Sequence, residues 1–159
     1  MKKIVVASGS ISGEPFEESM PRGSGRLVDA HWFKGSCGMR FPYAYGWEAW
    51  LVYRAQMEGY GAVAYRDLVT TARRTRMGWG KSVNLGRGMY ALGYPILLVV
   101  ARCVITFPRN PVASLGMFLG FISTDDPFMR LDVADWVGRN QKSMFWFRVK
   151  KVLRRGGRK

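Results

Sequence analysis

The sequence predicts an α/β chain that continues into an apolar helical hairpin and a basic amphipathic helix. Three observations carry this. Residues 47–65 read as a helix, a glycine stop and a short apolar strand, the unit from which α/β folds are built. Residues 86–123 are apolar nearly throughout, around a turn rich in Pro and Asn, which is the pattern of two short helices. Residues 136–159 contain no acid and interleave cations with aromatic and aliphatic side chains. The chain therefore divides into segments 1–85, 86–123 and 124–159.

Lys3–Ser8 opens the chain as a strand, on β-branched Ile4, Val5 and Val6. Gly9–Gly25, rich in Gly, Ser, Pro and Glu, predicts a long loop, and loops of that length carry function or move. A second loop, Gly35–Gly46, holds Phe41-Pro42-Tyr43-Ala44-Tyr45. Trp47–Glu58 predicts a helix, because Trp47, Trp50, Leu51 and Ala55 fall at i, i+3, i+4 and i+8 and Gly59 supplies a stop. Gly61–Tyr65 reads as a short strand, whereas Lys81–Leu85 is a poor one.

Tyr90–Thr106 predicts a helix interrupted only by Arg102 and by Pro95 near its start. Phe107–Pro111 is a turn, and Val112–Ile122 a second helix. A bilayer crossing needs about 20 residues, so the second is too short, and Arg102 sits inside the first at a cost. Two readings stay open: a buried core pair, or helices lying on or dipping into a membrane. Gly116 and Gly120 form a GxxxG step that permits close helix contact. From Asp126 onward, Trp136, Phe145 and Phe147 alternate with Arg139, Lys142, Arg148 and Lys150, which suits an anionic membrane surface; a solvated basic tail is the alternative.

A length of 159 residues is one domain or part of a larger one. With 48% hydrophobic and 23% charged residues, a disordered polar chain is excluded. Lys and Arg number 25 against 11 Asp and Glu, and the formal charge of +14 calls for an anionic partner: nucleic acid, nucleotide phosphates or an anionic membrane face. Cys37 and Cys103 stand far apart in no CxxC pair, which predicts two reduced structural thiols rather than a disulfide scaffold or a cysteine-built zinc site. The single histidine, His31, excludes a His-rich metal site within this chain. Ile4–Ala7 is too short for the apolar core of a secretory signal.

Several residues invite a chemical reading. Gly86-Arg87-Gly88-Met89-Tyr90-Ala91 matches G-x-G-x-x-A, but no good strand precedes it and the next acid is Asp125, so dinucleotide binding is rejected. Arg22 and Arg26 flank Gly23-Ser24-Gly25 and could hold a phosphate through charge and backbone N–H groups. Arg73-Arg74-Thr75-Arg76, with Lys81 and Arg87, suits phosphate or nucleic acid, yet no nucleic-acid fold signature accompanies it. Glu48 sits in the first turn of its helix, where the dipole favours a carboxylate, near a loop with Tyr43 and Tyr45. That is the placing of a general base, and equally of an ordinary first-turn acid.

Pro21-Arg22-Gly23-Ser24-Gly25-Arg26-Leu27, Tyr45-Gly46-Trp47-Glu48-Ala49-Trp50, Arg54-Ala55 and Gly59-Tyr60, in this order, resemble the second half of family 2 glycosyltransferases. Gly86 to Tyr94 is similar to the tail of some prokaryotic members, so the resemblance runs from about Ile4 to about Gln141. It implies that 1–85 is the acceptor side of an A-type nucleotide-sugar transferase fold. The implied reaction is transfer of a sugar from a nucleotide-sugar donor to the hydroxyl of a sugar or lipid-linked acceptor, with inversion. Glu48 would be the base. Trp47, Trp50, Tyr43 and Tyr45 would be sugar or acceptor platforms, and Arg22, Arg26, Arg73 and Arg74 would contact diphosphate. The complete enzyme would use Mg or Mn, for which no ligands are identified in this chain. Its place would be cytoplasmic, peripheral to the inner face of the membrane.

The sequence departs from the family pattern in three respects. Ala49 stands where the family has its second acid, no His lies near Thr70 to Arg73, and there is no Asp-x-Asp. The nucleotide-binding first half is therefore expected elsewhere, as a separate N-terminal half of a split enzyme, unless the chain is a truncated product or a remnant. Alone, the chain should expose a strand edge and an apolar face. The alternative is a non-catalytic basic module that binds membrane or nucleic acid; the missing nucleic-acid signature argues against the latter.

Overall fold

The structure is a computed structural model that describes residues 2–13, 16–21, 25–43, 45–71, 78–124 and 131–141. The α/β expectation holds: the described residues form three strands and six helices. They group into two units, Met1–Tyr43 with Trp47–Arg76, and Ala44–Gly46 with Met77–Lys159.

In the first unit, β1 (Ile4–Ile11) is the central strand of a sheet ordered β2-β1-β3. β2 (Leu27–Val28) is antiparallel to it and β3 (Gly61–Thr70) parallel. Helix α1 (Ala30–Cys37) follows β2, and α2 (Trp47–Met57) precedes β3. Val5 and Val6 of β1, Leu51, Val52 and Ala55 of α2, and Ala62 and Ala64 of β3 are all buried and form the core. The α2–Gly59–β3 passage appears as the periodicity predicts, with Gly59 at φ +84.

Both long strands outrun their expected ends at Ser8 and Tyr65, because they pair with each other beyond a bulge. After Gly9↔Tyr65 the register resumes at Ser10↔Val69, so Arg66–Leu68 loops out. Gly9 has no Cβ to collide with the Leu68 carbonyl. The Ser10 hydroxyl donates to the Arg66 carbonyl at 2.9 Å, and the Thr70 hydroxyl to the Ser10 carbonyl at 3.2 Å.

In the second unit, the expected helix Tyr90–Thr106 is divided. Tyr90 and Ala91 end α3 (Trp79–Ala91), Gly93 turns the chain at φ +69, and Pro95 caps α4 (Ile96–Thr106). Lys81–Leu85 is helical, and the 85/86 division falls inside α3. α5 (Pro111–Ile122) completes the expected hairpin, and α6 covers residues 134–141. α5 packs chiefly on α3. A Cβ on Gly86 would collide with the Met117 carbonyl, one on Gly120 with the Val83 carbonyl, and one on Gly116 would lie 2.9 Å from Ser82 Cβ. The GxxxG step thus serves backbone-close packing against α3. α4 is tied to α5 by the Ser114 hydroxyl, which donates to the Cys103 carbonyl at 2.8 Å. Met89, Val99, Cys103 and Met117 form the core of this unit. Among the described residues no helix is long and apolar enough to cross a membrane. The basic tail from Lys142 and the Asp125-Asp126 pair lie outside the described residues.

Candidate functional site

The first turn of α2 gathers part of the predicted site. Glu48 is exposed there. Arg26, which follows the glycine loop, reaches back to this turn. Its Nη1 donates to the Glu48 carbonyl at 2.5 Å and its Nη2 to the Pro21 carbonyl at 2.7 Å. Burial lowers the Arg26 guanidinium from its ordinary value and the nearby Glu48 charge opposes the shift; an arginine remains cationic throughout. Arg26 therefore fastens the chain before β2 to the start of α2 and sets a positive charge beside the Glu48 carboxylate.

Trp47, one residue before Glu48, is 41% exposed and ends a row of rings. Its centroid lies 4.8 Å from that of Phe41, whose centroid lies 4.8 Å from that of Phe33. Phe41 is itself exposed. The row offers exposed ring surface one residue along the helix from Glu48; ring surface and a carboxylate are the combination that takes the apolar face of a sugar and one of its hydroxyls.

The other predicted residues divide. Tyr43 is fully exposed. Tyr45 belongs to the second unit, with the Arg87 guanidinium 5.8 Å over its ring. Trp50 is corrected from platform to core: at 6% exposure its ring presents no face to a ligand, because it lies on the buried side of α2. Arg22, Arg73 and Arg74 lie outside the described residues.

The G-x-G pair receives a structural reading. On α3, Gly86 faces α5, while Gly88 lies against Gly46, itself at φ +88, so one helix accepts backbone on two sides. Cys103 is a buried thiol, raised by burial, whose Sγ lies 3.5 Å from the Ser114 carbonyl oxygen. Among the described residues no group of three or more His, Cys, Asp or Glu could hold a metal.

Two features escaped the sequence reading. Glu58 is held at the end of α2, accepting from Trp32 Nε1 at 2.8 Å and Arg54 Nε at 2.6 Å. Burial would raise its carboxyl, but bonds from Trp32, Ser36 and Arg54 outweigh that and hold it below its ordinary value. The Arg54/Glu58 spacing of i, i+4 is a readable signal for half of this cluster; Trp32 is not, since it comes from another helix. In the second unit a cavity of about 500 Å³ is walled by Tyr90, Tyr94 and Phe121, with Asp135 and Arg139 from α6. Three distant segments build it, so no local pattern announces it.

A scan against protein-family models finds no match for this chain, nor does a search of the curated proteins or of the solved structures.

Proposed function

We propose that the first unit is the acceptor side of an inverting, nucleotide-sugar-dependent glycosyltransferase. The observation that carries this is an exposed Glu48 in the first turn of α2, with Arg26 bonded to its carbonyl and Trp47 of the Phe33–Phe41–Trp47 row one residue before it. The resemblance in motif order adds the reaction class. An acceptor sugar would lie on Trp47 and Phe41 with one hydroxyl toward Glu48. Glu48 takes the hydroxyl proton as that oxygen bonds to the anomeric carbon. The bond from that carbon to the diphosphate oxygen breaks, and the diphosphate leaves with the electron pair. Arg22, Arg73 and Arg74 are the candidates for neutralising it. Arg26 has its guanidinium on two backbone carbonyls, so its part is to position Glu48. The nucleotide-binding half and its Mg or Mn come from elsewhere in this reading.

Saturation-transfer NMR on the full chain with methyl glycosides is the direct test. Binding is expected, lost in Trp47→Ala and Phe41→Ala and kept in Glu48→Gln. Once a nucleotide-binding half is supplied, Glu48→Gln should lower transfer by about 10²–10⁴-fold, the range of general-base catalysis. Absence of glycoside binding would overturn the reading. Salt-dependent binding to duplex DNA in its place would favour the basic-module alternative, which rests on the +14 charge.

A further inference from the structure

Helices α4 and α5 turn apolar sides outward. On α5, Val112, Leu115, Leu119 and Ile122 recur at i, i+3, i+7 and i+10 as one exposed stripe without a polar member, while Ala113, Ser114, Gly116 and Gly120 are buried. On α4, Leu97 is 69% and Ile105 70% exposed, with Val104 between them in the same condition. A helix on the surface of a water-soluble domain ordinarily shows its polar side to solvent. Here α5 buries Met117 among small residues and α4 buries Val99 and Cys103, yet large aliphatic side chains of both helices also face away from the protein.

Within the hairpin itself the charge has one sign, while Asp135 of α6 shares the cavity beside Pro95 and Phe121 with Arg139. No acid occurs between Asp67 and Asp125, a stretch that holds seven Lys and Arg. Arg102 and Arg109, on and just after α4, are exposed. At about 100° per residue, Arg102 lies roughly 140–160° around α4 from Leu97 and Val104 and about 60° from Ile105, so its charge borders the apolar stripe on one side. A second copy docked on this face would bring two hairpins together that carry arginines and no acid, which like-charge repulsion opposes. An anionic lipid surface matches both the stripe and its cationic margin. α4 has 11 residues and α5 has 12. They are about 16 and 18 Å long against a hydrocarbon core of about 30 Å, so neither reaches across.

We propose that the α4–α5 hairpin is an in-plane docking surface for an anionic phospholipid leaflet, with Leu115, Leu119, Val104 and Ile105 in the acyl boundary and Arg102 and Arg109 at headgroup level. This stands apart from the sugar-transfer reading, since it uses none of the same residues. The test is flotation of the full chain with vesicles of phosphatidylcholine, alone or with roughly 30% phosphatidylglycerol, at about 0.1 M salt. Binding is expected, stronger on the anionic vesicles. Leu115→Asn/Leu119→Asn should weaken it by at least about tenfold, as removal of two buried leucines from lipid requires. Val104→Asn/Ile105→Asn, on the other helix, should do the same, with unchanged circular dichroism in both. Leu27→Asn, at a 73% exposed site in the other unit, should change nothing. These neutral changes separate insertion from the attraction that the basic tail exerts. Parent-like binding by both double variants would overturn the proposal. So would a dimer at the same salt that both variants dissolve, because that would assign the face to a second copy.

Discussion

A carboxylate acts according to what its neighbours allow, and Glu48 and Glu58, ten residues apart on one helical run, differ in this. Glu58 is engaged by an indole N–H and a guanidinium within a partly buried pocket. Its role is to join α1 to the end of α2. Because its folded value lies below the unfolded one, it stabilises the fold above about pH 4.3. That contribution is lost as the pH falls through the folded value. Glu58→Gln should therefore cost about 1 kcal/mol near neutrality, allowing for partial solvent screening. The difference from the parent should shrink as the pH falls through the folded value, where the parent carboxyl is protonated as well. Urea denaturation of both proteins from neutral to acid pH measures it, and a difference independent of pH would mean that shape rather than charge matters at this position. Glu48, exposed and one residue from an open ring face, has the freedom that Glu58 lacks, which is why it remains the candidate base.

At the scale of elements, glycine divides the helices by what faces it. Gly80 and Gly86 lie in the same helix α3. A Cβ at Gly80 meets nothing within 4 Å, whereas one at Gly86 meets the Met117 carbonyl. Gly80→Ala should stabilise by about 0.5–1 kcal/mol through helix propensity. Gly86→Ala should destabilise by about 1–3 kcal/mol, since α5 must move away. Thermal unfolding of the two variants checks both signs. The same contrast explains what could be read in the sequence. α2 and the start of β3 were legible because a helical stripe, a glycine stop and β-compatible residues coincide. α3 was not, since its glycines lower helix propensity, although Gly86 is kept there by contact with α5 and Gly88 by contact with Gly46. α1 buries only Trp32 and so shows little periodicity, although Asp29 as N-cap and Gly38 at φ +58 bracket it with readable signals. The Phe33–Phe41–Trp47 row was legible only at Trp47, because its other members come from another helix and a loop.

Over the whole molecule, charge and apolar exposure oppose each other. A formal +14 keeps copies apart, while the α4–α5 stripe favours covering them with one another. Which effect wins depends on screening: the Debye length is about 10 Å at 0.1 M salt and about 3 Å at 1 M. At the lower salt, repulsion between acid-free hairpins reaches across a forming contact. At the higher it does not, and apolar burial, which salt does not weaken, decides the outcome. β3 offers a second route to association toward its end, since β1 pairs one side of it and the other is bonded at the Ala64 N–H to the Glu18 carbonyl but by no described strand, with Leu68 and Val69 exposed. The bulge at Arg66–Leu68 interrupts that edge and two charged residues stand in it, both of which discourage strand addition. Sedimentation velocity of the full chain should accordingly show a monomer at about 0.1 M salt and larger species at about 1 M. Leu115→Asn/Leu119→Asn should stay monomeric at both. If that variant associates like the parent at high salt, the open edge of β3 is the stickier surface, and Leu68→Lys becomes the substitution that should abolish association.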